Sequence, residues 1–434
     1  MVPYSIYLHI PFCAHRCGYC DFNTYAGLEA HIPEYVSALC AEIEWVAASA
    51  GQKLPAHTVF FGGGTPSLLP ASEIERILTA LQDAFDLQPD LELSLEANPG
   101  TLTRSYLHDL HFMGVNRLSL GVQSTHPGEL KLLERIHTYP EAIQSVTWAR
   151  QAGFENLNLD LIFGLPEQTL QTWQRTIQLA LGLNPEHFSL YALTIEQDTP
   201  FGRWSRRGLL SPPDPDLAAD MYEWAAEQLA NHGYTQYEIS NWAHSRPSPT
   251  GSSFAPTYAC RHNLQYWHNL PYLGLGAGAH GYAAGYRTEN VLSPVKYIQL
   301  LKANNQQPTA DRHQPERPQT SEISKTSQVW VTKEKNTVKS GFPCSPATQS
   351  IHPIDRQTEI GETMMMGLRL TQQGISGQAF SMRFGRSLEQ VFRVQIERLV
   401  RLGLLEWANY NGDRVLRLTT KGRLLGNQVF MEFI

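Results

Sequence analysis

The stretch Cys13-Ala-His-Arg-Cys17-Gly-Tyr-Cys20 decides how the fold of this chain is interpreted. It places three cysteines directly after residues 5–10, SIYLHI, a short apolar run typical of a β-strand. Three thiolates on one tight loop can bind three corners of a cubane [4Fe–4S] cluster, whereas conventional ferredoxin clusters take four cysteines. No fourth cysteine is nearby, so one iron would stay open to an exchangeable ligand. The spacing C-x3-C-x2-C therefore favours an iron–sulfur loop.

Two other interpretations of the loop remain open. One is a zinc site that recruits His15 or a distant histidine, although structural zinc usually takes four ligands in two separated pairs. The other is a set of three unrelated buried thiols. The remaining Cys40, Cys260 and Cys344 are scattered, and six cysteines are too few for a disulfide scaffold.

The composition is that of a globular protein with more than one domain. The 434 residues are 42% hydrophobic and 17% charged, which at roughly 100–200 residues per domain predicts two or three units. With 34 basic and 41 acidic residues, the net charge of −7 argues against nucleic acid as a partner. No run reaches the roughly 18 apolar residues that span a bilayer, and the start MVPYSIYLHIPFC carries no export signal. We therefore expect a cytoplasmic protein that is not integral to a membrane.

Short β-rich runs alternate with helix-length segments over residues 1–240. The predicted strands are 5–10, 58–61, 92–96, 117–120, 157–162, 188–191 and 236–239. The predicted helices are 31–50, 71–85, 101–113, 139–152, 170–183 and 216–232. This alternation implies a parallel sheet with right-handed crossovers, which is either an open doubly wound sheet or a full or partial barrel.

Polar side chains follow several of the predicted strands and favour the barrel. They are Glu96, Asn98, Gln123, Asp160, Glu196 and Glu238. At the carboxyl end of a barrel such side chains converge on one mouth, whereas an open sheet would spread them along an edge. We therefore expect an α/β protein with a partial (β/α)6 barrel core over 1–240 and a connector over 241–302.

The composition changes in residues 303–357, which are poor in large apolar residues and rich in Ser, Thr, Gln, Asn and Pro. Such a segment cannot bury enough apolar surface to offset its ordering entropy, so we expect a disordered insertion. The alternative is a small subdomain around 327–331. Cys344 lies in this segment and is discounted as a ligand.

Helical periodicity returns in residues 358–434. Residues 362–370 and 388–402 are predicted helices, and 404–407 and 414–418 flank Asn411-Gly412, a strong hairpin signal. Two helices and a hairpin resemble a winged-helix unit. Because the chain is acidic and lacks a clustered basic face, we expect this unit to cap a protein or a substrate and not to bind DNA.

The opening YLHIPFCAHRCGYC resembles the signature of the radical S-adenosylmethionine (radical SAM) superfamily, and specifically of its coproporphyrinogen oxidase-like branch. Further blocks extend the resemblance along the chain. They are FGGGTP at 61–66, EANP at 96–99, GVQS at 121–124, DLIFGLP at 160–166 and GAGAHG at 276–281. The resemblance covers almost the whole chain apart from residues 303–357.

The resemblance implies that a cluster on Cys13, Cys17 and Cys20 binds S-adenosylmethionine (SAM) at its open iron, through the amino and carboxylate groups of SAM. One electron from the cluster would cleave the sulfonium bond and release a 5′-deoxyadenosyl radical, which is chemistry that belongs to the cofactor. Glycine lacks a Cβ and so allows close backbone approach to the methionyl amino group. The residues implied to bind SAM are Tyr7, Tyr19, Gly62, Gly63, Gly64, Thr65, Glu96, Gln123, Arg135 and Asp160.

Two functions share this scaffold within the branch. One is the oxygen-independent coproporphyrinogen III oxidase, which removes propionate carboxylates, and the other is a haem chaperone, which passes haem to acceptor proteins. The oxidase carries a further cysteine two places after the third cluster cysteine, whereas this chain has Asp21-Phe22 after Cys20. The resemblance therefore favours the chaperone, with the oxidase as the enzymatic alternative and no catalytic residue assigned.

The block CRHNLQYW at 260–267 resembles one that is associated with haem binding in the chaperone branch. A neutral imidazole suits axial iron ligation, and aromatic rings offer flat faces to a porphyrin. The implied haem-binding residues are His262, Asn263, Tyr266 and Trp267, with Cys260 as a second candidate ligand. A structural motif, or a part of the SAM pocket, is the alternative for this block.

The sequence thus predicts a haem chaperone whose cofactors are a [4Fe–4S] cluster and SAM, whose cargo is haem, and whose partners are acceptor proteins such as those of the respiratory chain. A protein with only a structural metal is a third possibility, because three cysteines alone do not exclude zinc.

Overall fold

The computed structural model describes residues 2–245, 255–305 and 343–434. In these ranges the strands are β1 (Tyr4–Ile10), β2 (Phe12–Cys13), β3 (Tyr25–Ala26), β4 (Pro55–Gly63), β5 (Asp86–Ala97), β6 (Arg117–Gln123), β7 (Leu157–Phe163), β8 (His187–Ala192), β9 (Thr235–Glu238), β10 (Asn241–Ala243), β11 (Tyr272–Leu275), β12 (His280–Ala283), β13 (Tyr286–Asn290), β14 (Thr348–Pro353), β15 (Ile375–Ser376), β16 (Leu405–Tyr410) and β17 (Asp413–Leu418).

The same ranges contain fifteen α-helices. They are α1 (Ile32–Ser49), α2 (Ala71–Ala84), α3 (Arg104–Phe112), α4 (Pro127–Leu132), α5 (Tyr139–Ala152), α6 (Leu170–Leu181), α7 (Pro200–Arg206), α8 (Pro215–Asn231), α9 (Arg261–Trp267), α10 (Pro294–Asn305), α11 (Arg356–Gly367), α12 (Gly377–Phe384), α13 (Leu388–Arg401), α14 (Thr420–Leu424) and α15 (Gly426–Phe430). No helix in the described part of the chain combines the length and the apolar character that crossing a bilayer requires.

One large mixed sheet takes its strands from residues 4–290 and 348–353. Its strand order is β14-β13-β12-β11-β1-β4-β5-β6-β7-β8-β10-β9. The strands from β11 to β8 run parallel, and the strands beyond them at either side pair antiparallel. The two outermost strands, β14 and β9, do not pair with each other, so the barrel is partial and not closed. The expected α/β class is confirmed. The gap between β14 and β9 distinguishes this sheet from a full barrel.

The parallel strands alternate between two faces because successive side chains point to opposite sides of a strand. On β1 the residues Ile6, Leu8 and Ile10 are fully buried in the apolar core shared with the outer helices. The intervening Ser5, Tyr7 and His9 lie on the opposite face, where Ser5 bonds to His57, Tyr7 to His9, and His9 to the Asn23 carbonyl. The inside of the barrel is therefore polar, and the core lies between the sheet and the helices.

The prediction that 236–239 is one more parallel strand was incomplete. Strand β9 reaches the sheet through β10, which is antiparallel to both β8 and β9. At the opposite edge, β12, β13 and β14 extend the sheet by antiparallel pairing, and none of these three strands was predicted. Edge strands of this kind are held by main-chain hydrogen bonds, which leave a weak signal in the side-chain pattern.

The expected insertion at 303–357 is wrong at both ends. Residues 306–342, including the alternative subdomain at 327–331, lie outside the described residues, but residues 343–357 contain β14. Helix α10 also continues to Asn305. The division into 1–240, 241–302, 303–357 and 358–434 otherwise stays a prediction.

Buried Glu42 anchors Ser345 to the barrel. Its carboxylate accepts hydrogen bonds from the Tyr297 hydroxyl at 2.6 Å and, at 2.7 Å each, from the Gly276 amide, the Asn290 amide group and the Ser345 hydroxyl. Burial raises the pKa of this carboxyl group, and the four donors oppose that shift. The polar segment around Ser345 is thus held in place by the buried Glu42 carboxylate. The composition of the segment does not reveal this contact.

The C-terminal unit has its own apolar core, and it adds β15 and α12 to the two helices and the hairpin that were predicted. Helices α11, α12 and α13 pack with a small sheet in the order β15-β17-β16. The predicted hairpin forms between β16 and β17, and Asn411 and Gly412 both take positive φ angles, 52° and 84°, as a two-residue turn of this type requires.

Candidate functional site

The three predicted cluster cysteines lie on one loop at the carboxyl end of β1. The loop is closed by the parallel pairing of β2 with β3 and by a hydrogen bond from the Cys20 amide to the Cys17 carbonyl at 3.1 Å. Each thiol contacts a polar group. The Sγ atoms of Cys13, Cys17 and Cys20 lie 3.6, 3.9 and 3.8 Å from Thr65 Oγ1, Arg135 Nη1 and Thr24 Oγ1, respectively.

Burial raises the pKa of the Cys13 and Cys17 thiols, and the nearby Arg135 opposes this effect at Cys17. A thiol must lose its proton to ligate iron, so cluster binding to this loop would release protons. Within the described ranges, no three His, Cys, Asp or Glu side chains converge closely enough to bind a single metal ion. A cubane would instead bridge thiols that stand apart, since each cysteine takes a different iron corner.

The glycine run at 62–64 packs the loop against the sheet. The Gly64 amide donates to the Ile10 carbonyl, and the Thr65 amide donates to the Phe12 carbonyl, each at 2.8 Å. A Cβ at Gly64 would lie 2.6 Å from the Phe12 carbonyl oxygen and 3.1 Å from Cys13 Sγ. The sequence predicted these glycines as a surface for the cofactor, and the structure adds that the cluster loop itself requires Gly64.

A cavity of about 500 Å³ opens beside the cluster loop at the carboxyl ends of the parallel strands. Most of the residues predicted to bind the cluster or SAM line it. They are Cys13, Cys17, Tyr19, Cys20, Gly63, Gly64, Thr65, Glu96, Gln123, Arg135 and Asp160. Asn98 and Glu196 also line it, as the strand-end pattern predicted, whereas Glu238 does not, because β9 places it beside Asn241, away from the mouth.

Two carboxyl groups give this cavity its electrostatic character. Glu96 accepts a hydrogen bond from the Gly63 amide at 3.1 Å, and burial together with the nearby Asp160 raises its pKa to about 7. Asp160 is held by the Ser119 hydroxyl at 2.8 Å and the Asn158 amide group at 2.9 Å, and burial raises its pKa as well. Two acidic groups in one cleft suit a cationic ligand, which would favour their charged forms.

Unpaired polar atoms and strained backbone both mark the cavity wall. Among the described residues, Arg135 Nε and Asn98 Oδ1 are buried without a hydrogen-bond partner. Gln123 and Glu134 have positive φ angles, 63° and 52°, that are uncommon outside glycine. Such features cluster at ligand sites, where a bound molecule satisfies the unpaired atoms. The wall therefore fits a polar ligand such as SAM.

Some lining residues escaped the sequence analysis. Glu134 accepts from His15 Nε2 at 2.8 Å, and its backbone carbonyl lies 3.8 Å from Cys17 Sγ. Ser119 supports Asp160, and Tyr191 lies on the cavity wall. The only sequence signal for Glu134 was its position next to Arg135. The partners of Asp160 could be found only by listing the residues of β6 and β7 that face the barrel interior.

Tyr7 and Gly62 are the predicted SAM residues that do not line the cavity. The Tyr7 hydroxyl bonds to His9 Nδ1 at 3.0 Å, and the Tyr7 ring lies beside Phe60 and His262 in the barrel interior. Gly62 contacts the Tyr7 ring, since a Cβ there would lie 2.9 Å from it. Both residues are below the cavity wall.

The block predicted to bind haem lies at the other end of the barrel. Helix α9 contacts the first inward-facing residues of the strands, so it closes the amino end of the sheet. None of His262, Asn263, Tyr266 and Trp267 lines the cavity. Burial lowers the pKa of His262 to about 3, and both of its ring nitrogens are hydrogen-bonded, to Thr58 and to Tyr266. The arrangement does not fit an axial haem ligand.

Comparison with known proteins agrees with this geometry. A profile of the Radical SAM superfamily matches residues 7–180, and a profile described as the HemN C-terminal domain matches residues 354–425. The chain is 36% identical over 432 residues to the heme chaperone HemW of Bacillus subtilis (strain 168), with 99% of each chain covered. It is 37% identical to HemW of Lactococcus lactis subsp. lactis (strain IL1403), covering 100% of this chain and 97% of that one. The chain belongs to the HemW family.

Family membership confirms the resemblance drawn from the cysteine loop and the later blocks. A solved structure of coproporphyrinogen III oxidase (HemN) from Escherichia coli superposes with a TM-score of 0.75, covering 99% of this chain and 90% of that one. At 23% identity this similarity shows a shared fold alone. The HemW family thus has a radical SAM scaffold of the HemN type, with an α/β mixed sheet and a C-terminal HemN-type unit.

Proposed function

We propose that this chain is a haem chaperone that carries a [4Fe–4S] cluster on Cys13, Cys17 and Cys20 and binds SAM in the adjoining cavity. The observation that carries the proposal is the placement of three thiols on one loop beside a polar cavity, in a chain of the HemW family. The cargo is haem, and the partners are acceptor proteins such as those of the respiratory chain. We place it in the cytoplasm, where reducing conditions keep the thiols unpaired.

The cluster loop would be held by groups that the chain already provides. Thr65 and Arg135 lie within sulfur hydrogen-bond range of Cys13 and Cys17, and a positive guanidinium beside a thiolate favours the charged form. When bound, the cluster would supply an electron and an iron with an open position. Gly64 keeps the loop close to the sheet, so Cys13 would stay in position beside the cavity.

The cavity would orient SAM through opposite charges. Glu96 and Asp160 offer two acceptors for the cationic parts of the ligand, and Arg135 offers a donor for its carboxylate. Tyr19, Gly63, Thr65 and Gln123 would complete the wall. The unpaired Arg135 Nε and Asn98 Oδ1 support this assignment, because a polar ligand would satisfy them.

The oxidase is the second candidate function, since its fold is shared. Against it stands Asp21-Phe22, at the place where the resemblance implies a further cysteine in the oxidase. The radical SAM scaffold by itself does not separate the two functions.

Anaerobic incubation of reconstituted protein with coproporphyrinogen III, SAM and a reductant tests the choice. The chaperone predicts no protoporphyrinogen above the level of the Cys17→Ala variant, together with saturable binding of haem followed by absorbance. Formation of protoporphyrinogen at enzymatic turnover would replace the chaperone with the oxidase.

A further inference from the structure

The block at 260–267 closes the amino end of the barrel. Its helix α9 packs against β4, and His262 lies between the rings of Phe60, Tyr7 and Tyr266, with centroids 5.0, 6.4 and 5.0 Å away. Only 1% of the His262 surface is exposed. A haem iron could reach this imidazole only if the helix left the barrel.

The hydrogen bonds of His262 occupy the atom that iron would need. Thr58 donates to Ser5 at 2.6 Å, so its oxygen accepts from His262 Nδ1, 2.8 Å away. His262 Nε2 therefore carries the lone pair and accepts from the Tyr266 hydroxyl at 2.9 Å. A neutral imidazole with both nitrogens satisfied is the usual state of a buried structural histidine.

Glu92 fixes the start of the same helix from inside the sheet. Its carboxylate accepts from the backbone amides of Arg261 and His262 at 2.9 and 3.0 Å, and the Cys260 thiol lies 3.6 Å away. Burial raises the pKa of this thiol to about 12, so Cys260 is neutral and suits packing better than iron ligation.

The end of the block contacts the C-terminal unit. The Arg369 guanidinium stacks over the Trp267 ring, 4.7 Å from its centroid. The Asn269 amide group donates to the Thr363 hydroxyl at 3.1 Å, and Arg383 donates to the Asn269 carbonyl at 2.9 Å. One short segment therefore bonds to the barrel interior with its first half and to the C-terminal unit with its second half.

We propose that residues 260–269 are a structural link that seals the amino end of the barrel and docks the C-terminal unit, and that His262 is not an axial haem ligand. This proposal rests on the proposed function in one respect alone, because haem binding is one of the measurements that test it.

Two conservative variants of the full-length protein test the link. Tyr266→Phe removes the hydroxyl that occupies His262 Nε2, and His262→Gln removes the imidazole while keeping an amide that can bond to Thr58. His108→Gln is the matched control, since its side chain is 72% exposed and lies 3.8 Å from Asp109. Thermal unfolding, iron content and titration with ferric haem are measured for each protein.

The link predicts lower unfolding midpoints for Tyr266→Phe and His262→Gln than for His108→Gln, with the haem affinity and Soret maximum of the wild type. A ligand role predicts the opposite pattern for haem. Tyr266→Phe would then bind haem more tightly because it frees Nε2, and His262→Gln would shift the Soret band or lose roughly tenfold in affinity. Either change, in a protein that keeps its iron content, overturns the proposal.

The outcomes also separate this inference from the proposed function. If the wild-type protein binds no haem, the chaperone proposal fails, while the unfolding midpoints still decide the link. Equal midpoints for all three variants and the wild type would then overturn the link.

Discussion

Glu96 and Asp160 carry the electrostatics of the cavity at the scale of single residues. Glu96 has a pKa of about 7, raised by burial and by Asp160, so it is neutral below that pH and negatively charged above it. SAM brings a sulfonium cation. The charge state of one carboxyl group should therefore set the affinity for SAM near neutral pH.

The affinity of the cluster-loaded protein for SAM should rise as the pH increases from about 6 to about 8. The rise should be up to roughly tenfold, which is the factor that corresponds to one pKa unit. Glu96→Gln should remove most of that rise and bind SAM more weakly at the higher pH. Equilibrium binding at several pH values checks this, with Glu196→Gln as a control for the loss of another carboxylate on the same wall. An identical pH dependence in Glu96→Gln would show that Glu96 does not face the cation.

The structure brings together most of the residues that the sequence motifs singled out, while their roles stay predictions. The cysteines, the glycines, Glu96, Gln123, Arg135 and Asp160 were all predicted, and all except Gly62 line the cavity. Glu134 was missed because its contact with His15 joins residues that are far apart in the chain. The position of Tyr7 away from the cavity wall was not predictable, because a strand pattern gives the face of a residue but not its depth in the barrel.

The junction of the cysteine loop with β4 is the critical contact at the scale of elements. Gly64→Ala would place a Cβ 2.6 Å from the Phe12 carbonyl oxygen, so the loop must move away from the strand. We expect this variant to lose on the order of 1–3 kcal/mol in the free energy of unfolding and most of its cluster iron. Denaturant unfolding and iron analysis measure the two effects.

Gly100→Ala is the matched control, because a Cβ there meets only the His137 Cβ at 3.5 Å, an ordinary contact. The tight docking of the loop would be refuted if Gly64→Ala kept the iron content and stability of Gly100→Ala.

Elements whose apolar residues recur with a clear helix or strand period were predictable. Elements without such a pattern, whose positions depend on hydrogen bonds to distant strands, were not. Helix α5 was predicted with its observed bounds, and its start follows from the capping box of Thr138 and Glu141. Strands β12 to β14 and α9 were missed, since their positions depend on partners elsewhere in the chain. Which end of the barrel α9 closes depends on tertiary contacts with β4 and β5, so the position of the block at 260–267 could not be predicted from the sequence.

At the scale of the whole molecule, Arg383 joins the connector to the C-terminal unit. It donates to the carbonyls of His268 and Asn269 and pairs with Glu359 at 2.8 Å. Hydrogen bonds of charged groups contribute roughly 1.5–3 kcal/mol each, so their loss should loosen the docking of this unit.

Arg383→Met should therefore make the connection between the connector and the C-terminal unit more sensitive to limited proteolysis, with the cluster retained. Arg393→Met is the control, since Arg393 is 75% exposed and pairs with Glu397 of its own helix. Equal cleavage rates in the two variants would mean that the carbonyl contacts of Arg383 do not hold the C-terminal unit in place.

The composition and the period of the sequence change along the chain, and the predicted order of units rests on these changes. The anchoring of Ser345 was not predictable, since it depends on the buried acceptor Glu42 in α1. The partial closure of the barrel likewise depends on strands contributed by the connector.

Iron and inorganic sulfide in anaerobically purified protein test the central claim most directly. The account predicts about four irons and four sulfides per chain in the wild type and in Cys344→Ala, and neither in Cys13→Ala, Cys17→Ala or Cys20→Ala. One zinc per chain without sulfide, or a cluster that survives the loss of these cysteines, would contradict it.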